Sequence, residues 1–295
     1  MMWTAERSRR QGDIVAGLYQ QAAGVPRDRK AVLAAGLRGA DKDSALDKAG
    51  VDRSRYLVIS VDGVLAELAR RSLIPVVAGL APLEGAELVH GEAQHVAKRL
   101  AARAMATGTN VLLDVTAASW PSVRSWLHVA DLAAYSLDVV VAELDAAEAV
   151  RWADAEHSRG QGAYRRGRGE GGRYVRPEAI RAAAPLAAAA GKRPWGRPIA
   201  HLNRWRPAGF PSGEVTGLVA AYRAGQLPLD GLARRFRDRA WPAVPPTCPP
   251  GAEAAALAID DLEPWQPGSF DEVVLARDLG ILTDADYAVL AGTVT

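Results

Sequence analysis

The sequence predicts an α/β fold, a parallel sheet flanked by helices, with a small helical module towards the C-terminal end. Two observations carry this. Short runs rich in β-branched and small apolar residues, at 31–35, 56–60, 110–116 and 137–144, alternate with longer stretches of helical spacing. That is the pattern of strands joined by right-handed helical crossovers. The first run also leads straight into a glycine-bearing loop, Gly36-Leu37-Arg38-Gly39-Ala40-Asp41-Lys42-Asp43-Ser44, and then into a helix start at Ala45-Leu46-Asp47-Lys48. Strand, loop and helix in that order build a phosphate-binding loop, where backbone N–H groups and the helix N-terminus face the anion.

Each element has its own local reason. Residues 1–29 read as an amphipathic N-terminal helix ending near Gly24-Val25-Pro26. Ala31-Val32-Leu33-Ala34-Ala35 is apolar throughout, as a strand buried on both faces must be. The loop fits G-x-x-x-x-G-K-[ST] at Gly36 and Lys42, but Asp41 stands at the second glycine and Asp43 at the hydroxyl residue that binds magnesium. Both changes oppose ATP. A carboxylate about 4 Å from a phosphate, at an effective dielectric near 20, is repelled by roughly 4 kcal/mol before screening. Residues 84–106 read as helix, and Leu137-Asp138-Val139-Val140-Val141 is β-branched enough for a strand. Residues 181–192 are Ala-rich and helical; 193–211, with Pro, Trp and Arg, reads as an extended linker in which no closing strand is legible.

Residues 212–295 read as a helical, acidic module. Two short amphipathic helices at 215–224 and 229–239 precede a Pro-rich break, Pro242-Ala243-Val244-Pro245-Pro246, which helix cannot cross. Helices at 270–278 and 283–290 follow, the last with Thr283-Asp284 placed as its N-cap. No catalytic constellation shows in this region.

Composition narrows the class of protein. The 295 residues are 49% hydrophobic and 24% charged, which suits a soluble domain with a substantial core. The single cysteine, Cys248, leaves no disulfide framework, and the five histidines show no metal-ligand spacing. No apolar run approaches the ~20 residues that span a bilayer, and Met1 to Arg10 holds no signal core, so the expectation is a cytoplasmic protein without membrane contact. Charge is segregated. Residues 151–206 hold thirteen Arg or Lys against four acids, and residues 251–295 hold nine acids against one Arg. A basic patch invites nucleotides, other polyanions or the acidic segment itself. Nucleic acid is the weaker partner, because no helix-turn-helix, zinc finger or aromatic RNA-binding signature accompanies the arginines.

Residues 30–178 resemble the zeta-toxin family, in particular its actinobacterial branch. The likeness runs through the loop, Ala49 to Ile59, Ser72-Leu73-Ile74-Pro75, Leu88-Val89-His90-Gly91-Glu92, Asn110 to Thr116 and Gly171-Gly172-Arg173-Tyr174-Val175. The resemblance implies a P-loop kinase-like domain over 30–192. It implies ATP and Mg2+ as cofactors where the site still works, and UDP-N-acetylglucosamine or a related sugar nucleotide as substrate. It places Lys42 on the phosphates and Asp62 as general base, both catalytic. It puts Gly36, Gly39, Lys42, Ser44, Arg159, Arg165 and Arg173 around the nucleotide, and His90, Glu92 and Asp114 around the substrate. It assigns no metal ligand.

Departures from that pattern matter as much. Gly63 and Leu65 stand where the family has a second acid and a basic residue, Ala93 and Gln94 where it has small hydroxyl residues, and Trp152 and Glu156 where it has lid arginines. Several losses in one mechanism that depends on positioning and charge favour a degenerate kinase fold with a binding or regulatory role. The alternative is a working sugar-nucleotide kinase. Opposite charges further predict that 251–295 lies over the lid, 151–176, of its own chain or a neighbour, aided by Val273, Leu275 and Leu279, as separate helical antitoxins block a zeta-type cleft.

Overall fold

A computed structural model describes residues 3–116, 126–127, 129–130, 132–191, 203–205, 214–242, 265 and 268–294. Its centre is a sheet of order β2-β3-β1-β4-β5. The strands are β1 (Lys30–Gly36), β2 (Leu57–Ile59), β3 (Val111–Thr116), β4 (Ser136–Ala142) and β5 (Asn203–Trp205). The first four pair in parallel, with β1 central between β3 and β4. Alternation explains the layering. Ala31, Leu33 and Ala35 of β1 face one core, while Val32 and Ala34 face the other, so the strand needs apolar residues at every position.

One face of the sheet carries α1 (Ala5–Gln20), α3 (Val61–Arg70) and α4 (His90–Ala106), the last entered through a 3-10 segment, Pro82–Val89. The opposite face is covered by α2 (Lys42–Lys48), whose Ala45 and Leu46 pack on Val32, Leu112 and Val140. Beyond the carboxyl end of β1, α5 (Ala146–Arg165) and α6 (Pro177–Gly191) enclose Leu37 in a smaller core of their own. The loop after β1, the start of α3 and α5 meet at the carboxyl edge of the sheet, around Arg38, Asp62 and Glu156.

Two expectations change on contact with the structure. The segment 193–211 is not all linker, because Asn203–Trp205 pairs antiparallel with β4, Val139 opposite Asn203 and Leu137 opposite Trp205. Three residues in a Trp-, Pro- and Arg-rich stretch show no strand pattern of their own; β4 supplies the ladder. As expected, the C-terminal region is helical: α7 (Glu214–Arg223), α8 (Leu229–Arg237), α9 (Asp271–Asp278) and α10 (Asp284–Ala291) share the large core with α4. Finally, the described part of the acidic segment seats on α4 through α9, not on 151–176. Val273, Leu275, Ala276 and Leu279 are buried there. Its acids act locally: Asp278 pairs with Arg277, and Asp286 completes a capping box with Thr283. Apolar burial, worth roughly 1.5–3 kcal/mol per side chain, outweighs exposed ion pairs worth at most about 1. Cys248 and the acids of 251–264 lie outside the described residues.

Candidate functional site

The loop after β1 closes on itself. Gly36 ends the strand where a Cβ would lie 2.7 Å from the Ala142 carbonyl oxygen, so only glycine fits beside β4. Gly39 has φ +87°, and a Cβ there would meet the Ala149 carbonyl oxygen at 2.5 Å and the Cβ of Trp152 at 3.1 Å. The turn is thus pressed against α5. Asp41 caps α2, its Oδ1 accepting the Ser44 amide at 2.9 Å. The amides of Ala40 and Lys42 donate to the carbonyls of Leu37 and Ala40. Asp43 is drawn outward to Arg53, at 2.5 Å. Lys42 leans across to β3, where its Nζ meets Asp114 Oδ1 at 2.6 Å.

A second cluster is built around Asp62, in the first turn of α3. Ser60 caps that helix by accepting the Gly63 amide at 3.0 Å, which fixes the position of Asp62. Two guanidiniums reach it: Arg38 of the loop donates to Oδ2 at 2.5 Å, and Arg173 donates to Oδ1 at 2.6 Å. Arg173 also approaches Nδ1 of His90 at 3.4 Å; since arginine only donates, that nitrogen is the acceptor. Burial opposes ionisation of Asp62, but the charges of Arg38 and Arg173 outweigh it and hold its carboxyl far below the usual range. Both oxygens of the carboxylate are thus engaged, and it is a weak base in this arrangement.

Arg173 is carried there by close backbone packing. Gly172 lies against α5 so tightly that a Cβ would come 2.3 Å from the His157 carbonyl oxygen, and a Cβ on Gly160 would come 2.5 Å from the Gly172 Cα. His157 Nδ1 meets the Gly172 carbonyl oxygen at 3.0 Å, and the Leu83 amide donates to Glu170. Between this segment, the face of α5 bearing Glu156, Arg159 and Ala163, and Asp62 lies a cavity of about 430 Å³. Leu65 and Leu83 line its apolar side. Glu156 stands 3.9 Å from Arg38.

The predicted residues therefore fall into separate groups. Gly36, Gly39, Lys42, Ser44 and Asp114 surround the loop. Asp62, His90, Arg159 and Arg173 surround or approach the cavity. Arg165 does not join them: six residues beyond Arg159, it points about 120° away around α5, into solvent. Glu92 is bound elsewhere. It is 6% exposed, takes two bonds of 2.7 Å from Arg7 and one of 2.9 Å from Gln11, and ties α4 to α1. Burial pushes its carboxyl up, but the bonds from Arg7 and Gln11 outweigh that and hold it below the ordinary value. Sequence reading missed Arg38, Arg7 and Gln11. Arg38 had one visible signal, a long cation among small residues in a glycine loop; Arg7 and Gln11 had only their i, i+4 spacing on one helical face. Among the described residues no group of three His, Cys, Asp or Glu is placed to hold a metal ion.

A central parallel sheet with a strand–glycine loop–helix at its carboxyl edge, and an acid in the helix turn that follows the second strand, define a P-loop kinase-like protein. The family model for zeta toxin matches residues 21–190, more than half of the chain, and the chain belongs to that family. No curated protein and no solved structure matches the chain. No helix among the described residues is long and apolar enough to cross a membrane.

Proposed function

We propose that this chain is a degenerate zeta-type kinase fold, impaired in ATP use, that serves as a binding or regulatory protein of toxin–antitoxin type. The observation that carries the reading is the self-capped loop. A phosphate cradle works because backbone amides at the start of the helix are free to bind oxygen anions. Here the Asp41 carboxylate already occupies the Ser44 amide, and the amides of Ala40 and Lys42 donate within the loop. The two remaining charges of the motif are likewise engaged, Lys42 by Asp114 and Asp43 by Arg53. The residues present do not fit ATP–Mg2+: a triphosphate would have to displace an anion from the cap and pull Lys42 from its partner. No transfer step is derived through it.

The retained cluster of Asp62, His90, Arg159 and Arg173 is what favours the second reading, an active kinase of UDP-N-acetylglucosamine or a related sugar nucleotide. Calorimetric titration separates the two. ATP–Mg2+ should bind the parent chain weakly or not at all, and Asp41→Gly with Asp43→Ser should strengthen it. Micromolar binding by the parent, abolished by Lys42→Ala, would establish the second reading. Titration with UDP-N-acetylglucosamine alone reports whether the sugar-nucleotide half of the cleft survives.

A further inference from the structure

We propose that the loop 75–80, together with the arginine turn that ends α5, forms a docking surface for an anionic lipid membrane. From Leu73 to Leu83 no side chain carries a charge or a hydrogen-bonding group. The ends of this stretch are anchored. Leu73, Ile74 and Ala81 are buried, and Ile74 Cγ2 packs 3.3 Å from where a Cβ on Gly85 would lie. Between them Pro75, Val76, Val77, Ala78, Gly79 and Leu80 are all exposed, Val76 to 98%. The Leu80 amide donates to the Val77 carbonyl oxygen at 3.1 Å and Gly79 takes φ +83°, which closes the tip as a turn. A single exposed aliphatic side chain is ordinary, but a contiguous uncharged tip on an anchored base marks a contact surface.

The flank of the tip sets the kind of partner. The Leu83 amide donates to the Glu170 carbonyl oxygen at 3.0 Å, and a Cβ on Gly171 would lie 2.6 Å from that of Ala81. The turn after α5 is thereby carried beside the loop. It reads Arg165-Arg166-Gly167-Arg168; its three arginines are exposed, and none makes a side-chain hydrogen bond or ion pair to a described residue. An aliphatic tip and adjacent cations are the two signals that together hold a protein at one leaflet. The tip enters the boundary between headgroups and acyl chains, where water still reaches its backbone, and the arginines meet the anionic headgroups. A protein partner is met through aromatic anchors and directional polar groups, which the tip lacks. The length of apolar runs bears on crossing a bilayer, not on adsorption to one face of it. Neither the phosphate loop nor the cavity contributes, so the inference stands apart from the proposed function.

The test is co-sedimentation of the full chain with vesicles of phosphatidylcholine alone and with vesicles of equal parts phosphatidylcholine and phosphatidylglycerol. The parent should bind the mixed vesicles at least tenfold more tightly than the neutral ones, and added salt should weaken that binding. Val76→Ser with Leu80→Ser should lose at least tenfold, and so should Arg166→Glu with Arg168→Glu. Arg234→Glu with Arg235→Glu, exposed on α8, makes the same change in net charge on another element and should alter binding less than twofold. These substitutions touch exposed side chains, so the variants should melt with the parent. Val76→Trp keeps the test open should the serine pair fail to fold: it should bind more tightly than the parent, because tryptophan favours the membrane interface. Failure of the parent to bind mixed vesicles, or equal binding of both kinds, overturns the inference. Undiminished binding by the serine pair, or equal losses in the two arginine pairs, would mean adsorption of a basic chain by charge alone and overturns it as well. Binding of an acidic protein through the tip, with no vesicle bound, counts against the lipid assignment.

Discussion

Replacing Arg7 by alanine should loosen the N-terminal helix more than any exposed substitution in the chain. Arg7 holds both oxygens of Glu92 at 2.7 Å and also donates to the Leu73 carbonyl oxygen at 2.6 Å. Glu92 is 6% exposed, so its carboxylate cannot be rehydrated where it stands. Removing one partner of a buried pair costs about 3–5 kcal/mol. Gln11 remains at 2.9 Å, and Arg7 is itself a quarter exposed, so the expected loss lies lower, at about 2–3 kcal/mol. Because Glu92 is held below its ordinary pKa, its contribution is present above pH about 4.5 and fades as pH falls through the lowered value. The gap between parent and Arg7→Ala should therefore narrow in acid. Urea unfolding at pH 7 and near pH 3.5 measures both numbers. Glu92→Gln completes a double-mutant cycle, in which a coupling above about 1 kcal/mol is expected. A loss below 0.5 kcal/mol, or a gap unchanged in acid, would refute the anchor role and return Glu92 to the substrate-binding role that the family resemblance implies.

Gly39→Ala should lose at least about 2 kcal/mol in the same assay, from a left-handed φ of +87° together with a Cβ 2.5 Å from the Ala149 carbonyl oxygen, whereas Gly50→Ala, with φ +72° and open space, should lose about 1; equal losses would mean that packing of the loop on α5 contributes nothing. Glu272 is 4% exposed, and burial pushes its carboxyl up against the opposing effects of Gly268, Thr216 and Arg239, so its contribution is fullest below pH about 4.5 and is lost as pH rises through the raised value. Glu272→Gln should gain stability relative to the parent between pH 4.5 and 8, and a urea-midpoint difference that stays flat across that range would contradict the assignment.

Much of the frame was legible because its signals are local. Residues 31–35 of β1 are apolar on both faces and β2, β3 and β4 are predominantly so, and the ends of α2, α3 and α10 carry side chains whose capping geometry is a property of a few neighbouring residues. The Thr283 cap is an example: Thr283 and Asp286 satisfy each other's amides. What escaped reading is non-local. The strand β5 exists by virtue of β4; the Arg7–Glu92 pair joins residues 85 apart; and the seat of α9 on α4 depends on which apolar face finds the larger core. The charge segregation that pointed 251–295 towards the lid gave the wrong destination within its own chain for the described part of that segment. Net charge sets long-range attraction, whereas docking is decided by buried contacts at short range. Arg38 escaped because the motif reading treats its position as unconstrained, although it turned out to hold the acid expected to act as base.

The loop substitutions can be weighed against each other, and the balance separates fold from ligand. An Asp at the cap of α2 stabilises a helix start only a few tenths of a kcal/mol better than a Gly would, and acids in the first turn gain about 0.3–1 kcal/mol from the helix dipole. Opposing that, a carboxylate some 4 Å from a bound phosphate costs on the order of 4 kcal/mol. The carboxylates of Asp41 and Asp43 thus use the same field that would hold an anion, stabilise the empty loop slightly, and oppose a triphosphate strongly.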